Sequence, residues 1–117
     1  MINVYGLKNC DRCRKTLNWL LSQNIENNFF DLNEFQLKKD IIKNWINCHG
    51  QEKLVNKKSK TWREIKNELS DNFEVETIEI IIKFPKILKR PLWELNGRSD
   101  DSLPPGFEKT HQEFLLG

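Results

Sequence analysis

The feature that most constrains this chain is Cys10-Asp11-Arg12-Cys13, which stands between a segment of alternating apolar residues and one of helical periodicity. Before it, Ile2 to Gly6 alternates apolar and polar residues and ends in glycine, which predicts a short strand. After the Leu7-Lys8-Asn9 turn, Cys13, Leu17, Leu20 and Leu21 form one apolar stripe, predicting a helix over about Asp11 to Gln23. Asn27 to Leu32 reads as a second strand. Strand, helix and strand within roughly 30 residues make a βαβ unit, whose crossover should be right-handed. A C-x-x-C pair at the strand-to-helix junction of such a unit points to redox chemistry.

The physical reason lies in the helix start. Cys10 falls where unpaired backbone N–H groups and the positive end of the helix dipole stabilise an anion. Cys13 follows one turn later on the same face, close enough to form a disulfide. Thiols so placed can ionise well below the free value of about 8.5. Lys8, Arg12, Arg14 and Lys15 crowd the motif and favour the thiolate, while Asp11 opposes it. Two other readings compete. The pair could be half of a zinc site, but the remaining ligands would be Cys48 and His49, side by side and awkward for one ion, so no metal is expected. Alternatively, the cysteines could be inert, with Cys13 simply part of the apolar stripe.

The middle of the chain reads as helical. Asn33 and Gln36 suggest a helix start, and Leu37, Ile41, Trp45 and Cys48 continue at helical spacing to Gly50. Residues 51–60 read as a polar loop. Thr61 to Glu64 has the form of a capping box opening a helix through Leu69. Asn72 is placed to cap another, carrying Val75, Ile78, Ile81 and Ile82 and ending at Pro85. Pro91 to Leu95 returns to strand, Asn96-Gly97 to turn, and Ser102-Leu103 to a last short strand. Glu108 to Leu116 reads as a closing helix, with Phe107, His111, Phe114 and Leu115 on one side. Trp19, Trp45, Trp62 and Trp93 read as packing aromatics. The prediction is an α/β chain of one domain, 1–117, with a four-stranded mixed sheet, flanking helices and a helical insertion over about 34–84.

Composition narrows the partners. The chain has 117 residues, enough for one domain, and a net charge of +2, weak for direct nucleic-acid binding. Lys38 to Lys66 carries nine basic and three acidic residues, and Asn67 to Ile82 five acidic and no basic ones, which read as solvated helix faces of opposite sign. The chain opens directly on a strand, and no apolar run approaches the roughly 20 residues needed to span a bilayer. A cytoplasmic monomer with no membrane association is expected, where three cysteines serve chemistry better than structure.

A family resemblance runs through nearly the whole chain. Val4-Tyr5-Gly6, Asn9-Cys10, Cys13-Arg14-Lys15, Leu54-Val55-Asn56, Lys89-Arg90-Pro91 and Gly106-Phe107 together resemble the arsenate-reductase-like (ArsC/Spx) family. Thr61-Trp62-Arg63 resembles the small YffB-type branch of thiol reductases that use glutathione. The resemblance implies a thioredoxin-like fold interrupted by a helical subdomain. It implies that Cys10 is the nucleophile and Arg90 one of three arginines that hold an oxyanion in true arsenate reductases. Arg14 matches a basic position of the motif, Lys8 flanks it, and a cis Arg90-Pro91 bond would wall the site. A second oxyanion arginine would fall at Asn56, and a third near Pro104-Pro105, where this chain has none. Without those bidentate guanidinium contacts the site suits a carboxylate-bearing thiol better than arsenate.

Two function classes follow. The first is a thiol oxidoreductase with no bound cofactor and glutathione as co-substrate: Cys10 forms a mixed disulfide, which Cys13, glutathione or a glutaredoxin-type reductant resolves. The second follows from Cys13, which the YffB-type proteins tend to lack and the Spx-type regulators carry. It is a redox switch that binds RNA polymerase, with a Cys10–Cys13 disulfide altering the docking surface.

Overall fold

The alternation of Ile2 to Gly6 does produce the central strand, and the other strands of the fold pair to either side of it. The computed structural model describes residues 1–67 and 73–117, with side chains described for 1–67 and 77–117. Asn72, Leu69 and the side chain of Val75 lie outside the described residues. The chain divides into two compact units: Met1–Phe35 with Arg90–Gly117, and Gln36–Lys89.

In the first unit, β1 (Ile2–Gly6) runs parallel to β2 (Asn27–Asp31) and antiparallel to β3 (Leu92–Leu95), giving the order β2-β1-β3. Val4 stands opposite Phe29 on one side and Trp93 on the other. The period of two therefore sends Ile2, Val4, Phe29 and Trp93 to one face, where α1 (Asp11–Ser22) and α6 (Lys109–Leu116) cover them. Leu20 and Leu103 complete that core, with Leu17, Trp19, Phe107 and Leu115 around it. The other face carries a polar pair: Glu94 is buried and accepts hydrogen bonds from the Tyr5 hydroxyl at 2.6 Å and from Asn3 at 3.1 Å. Burial of a carboxylate is tolerable when donors meet it in this way.

Among the described residues the sheet has three strands, where the sequence predicted four. Beyond β3 the chain closes a tight turn, with Leu95 and Arg98 exchanging backbone hydrogen bonds at 2.7 and 3.1 Å. Asp100 then draws in the Ser102 and Leu103 amides, through its side chain and its carbonyl respectively. Those amides are no longer available to a strand ladder, and Pro104 and Pro105 have none to offer. Ser102-Leu103 is therefore a turn whose leucine plugs the core.

In the second unit, α2 (Lys39–His49) packs against α5 (Phe73–Lys83), with short helices α3 (Gln51–Leu54) and α4 (Lys60–Ile65) between them in sequence. Ile42, Trp45, Leu54, Ile81 and Ile87 are fully buried or nearly so. Helix α2 begins six residues later than Asn33. The Asp31 carboxylate and carbonyl instead take the amides of Asn33, Glu34 and Phe35 into a turn. The buried edge of α2 accordingly runs through Ile42 and Trp45, leaving Ile41 and Cys48 half-buried. The loop expected over 51–60 contains α3, and the cap of α4 is Ser59, whose hydroxyl accepts from the Trp62 amide at 3.1 Å. Val55 pairs with Leu88 in an isolated bridge. Among the described residues no helix is long and apolar enough to cross a membrane.

Candidate active site

Cys10 is the residue immediately before α1, in extended backbone conformation, with its carbonyl accepting from the Arg14 amide at 2.9 Å. It occupies the N-cap position of the helix. The thiol is half-buried. Cys13, one turn on, is fully buried and lies against β1 at Gly6. A Cβ on Gly6 would collide with the Cys13 sulfur, so only glycine allows this helix to sit so close to its strand. Cys10 and Cys13 are not joined by a disulfide.

The two motif thiols experience different environments. Partial burial raises the Cys10 pKa, but hydrogen bonds from the Cys13 amide and thiol, and then the Arg90 guanidinium, more than offset it. Cys10 is accordingly held below the ordinary thiol value. Cys13 moves the other way, pushed up to about 12 chiefly by burial and further by the neighbouring Cys10, against the Leu7 amide and Arg90. One thiol is thus prepared to be an anion and its partner to be the proton-bearing donor.

Arg90 donates to the Cys10 sulfur, and its bond to Pro91 is cis, as the resemblance implied. Pro91 is buried, and its carbonyl accepts from the Gly106 amide at 2.9 Å. The Gly106 carbonyl in turn accepts from the Trp93 indole N–H at 2.8 Å. Gly106 has φ +109, a backbone conformation that side chains rarely adopt. The loop is held from behind by His111, fully buried, whose Nδ1 accepts from the Glu108 amide at 3.0 Å and whose Nε2 lies 2.6 Å from the Pro104 carbonyl. One nitrogen accepting and the other donating to a carbonyl requires the neutral ring.

The remaining cations named from sequence are less central. Lys8 is exposed and pairs with Glu34 at 3.7 Å. Arg14 is exposed and pairs with Asp11, so the acid that opposes the thiolate is also spent on a helix neighbour. Asn56 belongs to the second unit. Its side-chain oxygen accepts from the Lys58 amide at 3.1 Å, and its own amide donates to the Ile87 carbonyl at 2.7 Å. In the first unit, then, the structure assembles Cys10, Cys13, Arg90 and Pro91. The Gly106 loop was legible only as a family anchor, and the pairing of Pro91 with Gly106 has no signal in local spacing.

Comparison with known proteins agrees with this geometry. A Haemophilus influenzae protein of uncharacterised function is 33% identical over 100 residues, covering 85% of this chain and 88% of that one. The global transcriptional regulator Spx of Lactiplantibacillus plantarum is 26% identical over 94 residues, covering 79% and 71% of the two chains. The solved structure of the YFFB protein superposes over 100% of both chains with a TM-score of 0.86 at 26% identity. The model of the ArsC family matches residues 5–102, a span containing Cys10, Cys13, Arg90 and Pro91. With the thiol pair at the helix start and the cis proline behind it, that match makes this chain a member of the ArsC family.

Proposed function

We propose that the chain is a glutathione-linked thiol oxidoreductase acting in the reducing cytoplasm as a monomer, with Cys10 as nucleophile. The observation that carries this reading is the hydrogen bond from Arg90 to the Cys10 sulfur, on the residue that caps the start of a helix. The Cys10 thiolate attacks one sulfur of a glutathione mixed disulfide, and the other sulfur leaves as a thiolate. The new Cys10–glutathione bond is then broken in one of two ways. A second glutathione, or a glutaredoxin-type reductant, attacks the glutathione sulfur and regenerates Cys10. Alternatively Cys13 loses its proton and attacks Cys10, giving the intramolecular disulfide and free glutathione. The charge on Cys10 is one cause of the high Cys13 pKa, and it vanishes once the mixed disulfide has formed, which favours this second route. Arg90 supplies a guanidinium for a substrate carboxylate. Arsenate is a poorer substrate because Asn56 replaces one oxyanion arginine and Pro104-Pro105 offers none.

The test is to incubate Cys13→Ser, with Cys48 also changed to Ser, with glutathione disulfide and weigh the intact protein. One glutathione adduct, mapped to Cys10 and removed by added glutathione, is the expected result. No adduct would contradict the reading.

A second reading is favoured by the buried Cys13 hydrogen-bonded to Cys10 and by the identity with Spx. Here a disulfide oxidant, itself reduced to two thiols, joins the two sulfurs, and the rearranged surface changes binding to RNA polymerase. Retention of RNA polymerase by the oxidised but not the reduced chain would select it.

A further inference from the structure

Four cations surround the Cys10 motif, and the structure distinguishes three of them. Lys8 is paired with Glu34, and Arg14 with Asp11. Arg12 makes no ion pair among the described residues. Its guanidinium lies instead beside Gly106, where a Cβ on that glycine would stand 3.8 Å from Nη1. Gly106 is the residue whose amide is bound to Pro91, next to Arg90. A side chain at position 106 would occupy the space the guanidinium faces. Two arginines therefore flank one loop, Arg90 bonded to the nucleophile and Arg12 at the loop's glycine, both in the first unit.

We infer that Arg12 is a specificity-determining residue of the Cys10 site, an anion clamp that selects disulfides bearing carboxylates over neutral ones. The inference rests on the proposed function above, since it presumes that Cys10 attacks disulfides. It gives the x-x positions of the motif a role that spacing alone does not suggest. The clamp works in both directions of the exchange. The incoming disulfide is drawn by its carboxylate, and the thiolate that leaves carries the same carboxylate away. Because Arg12 is exposed, its pull is screened by salt, and the selectivity falls as ionic strength rises.

The experiment compares second-order rates of Cys10 with two disulfides of opposite character: glutathione disulfide, which carries carboxylates, and 2-hydroxyethyl disulfide, which is neutral. The full chain with Cys48→Ser is the parent, and Arg12→Gln, Arg12→Lys and Arg98→Gln are made in it. Arg98 follows the far end of β3, and its replacement removes the same charge away from the site. Arg12→Gln should slow glutathione disulfide about five- to tenfold, the scale of one partly screened charged hydrogen bond. It should leave 2-hydroxyethyl disulfide within about twofold, with Arg12→Lys recovering part of the loss and Arg98→Gln changing neither rate. Equal slowing of both disulfides, or of neither, would overturn the clamp while leaving Cys10 a nucleophile. A parent that reacts with neither disulfide would overturn the oxidoreductase reading, and the clamp with it.

Discussion

Cys10 and Cys13 are one helical turn apart, yet their surroundings drive their protons in opposite directions. For Cys10 the deciding contributions are donors aimed at the sulfur, from Cys13 and Arg90, and they overcome the cost of partial burial. For Cys13 burial against Gly6 dominates, and the thiol stays protonated through neutral pH. Arg90→Gln should therefore raise the pH at which Cys10 becomes reactive, because the replacement keeps a donor and loses the charge. Its alkylation rate at pH 7 should fall, and a rate equal to the parent's would mean that the guanidinium is idle. The residue scale is also where the sequence was most informative. The C-x-x-C spacing located both thiols and the basic cluster around them. It did not distinguish Arg12 from Arg14, since only the fold shows that Arg14 is bound to Asp11 while Arg12 faces a glycine far along the chain.

At the scale of elements, the sequence located β1, α1, β2, β3 and α6 to within a residue or two. Where the prediction moved, a side chain had competed with the helix for backbone amides. Asp31 took the amides after β2 and delayed α2, and Ser59 capped α4 ahead of Thr61. The fit between α1 and β1 is the contact on which the site most depends. Gly6→Ala should destabilise the fold by about 1–3 kcal/mol in chemical denaturation, the usual cost of forcing an atom into a packed contact. Cys10 alkylation should change as well, since the intruding methyl would displace Cys13, a donor to Cys10. An unchanged midpoint would mean that helix and strand have room for the added methyl.

For the whole molecule, the sequence anticipated an α/β chain with a helical middle but one strand too many. The fourth strand failed for a reason that depends on the tertiary arrangement: the turn after Leu95 and the amides held by Asp100 leave nothing for a ladder, while Leu103 is drawn into the core. Apolar side chains form the buried core of each unit. The ion pairs Lys8–Glu34, Asp11–Arg14, Lys39–Glu79 and Lys60–Glu64 all have exposed side chains. Such pairs contribute about 0–1 kcal/mol each and weaken as salt screens them. Raising sodium chloride from about 0.1 to 1 M should therefore leave the urea midpoint nearly unchanged or slightly raised. A marked fall would show that charge carries more of the fold than these contacts allow.

The most direct test of the central claim is the pH dependence of Cys10 alkylation in the full chain with Cys48→Ser. Only the thiolate reacts, so the rate falls as pH falls through the pKa of Cys10. Cys13, buried and protonated until about pH 12, contributes nothing to the neutral range. The arrangement of Cys13, Arg90 and the start of α1 predicts a midpoint below the free thiol value of about 8.5. A midpoint at or above that value would contradict an activated nucleophile at Cys10.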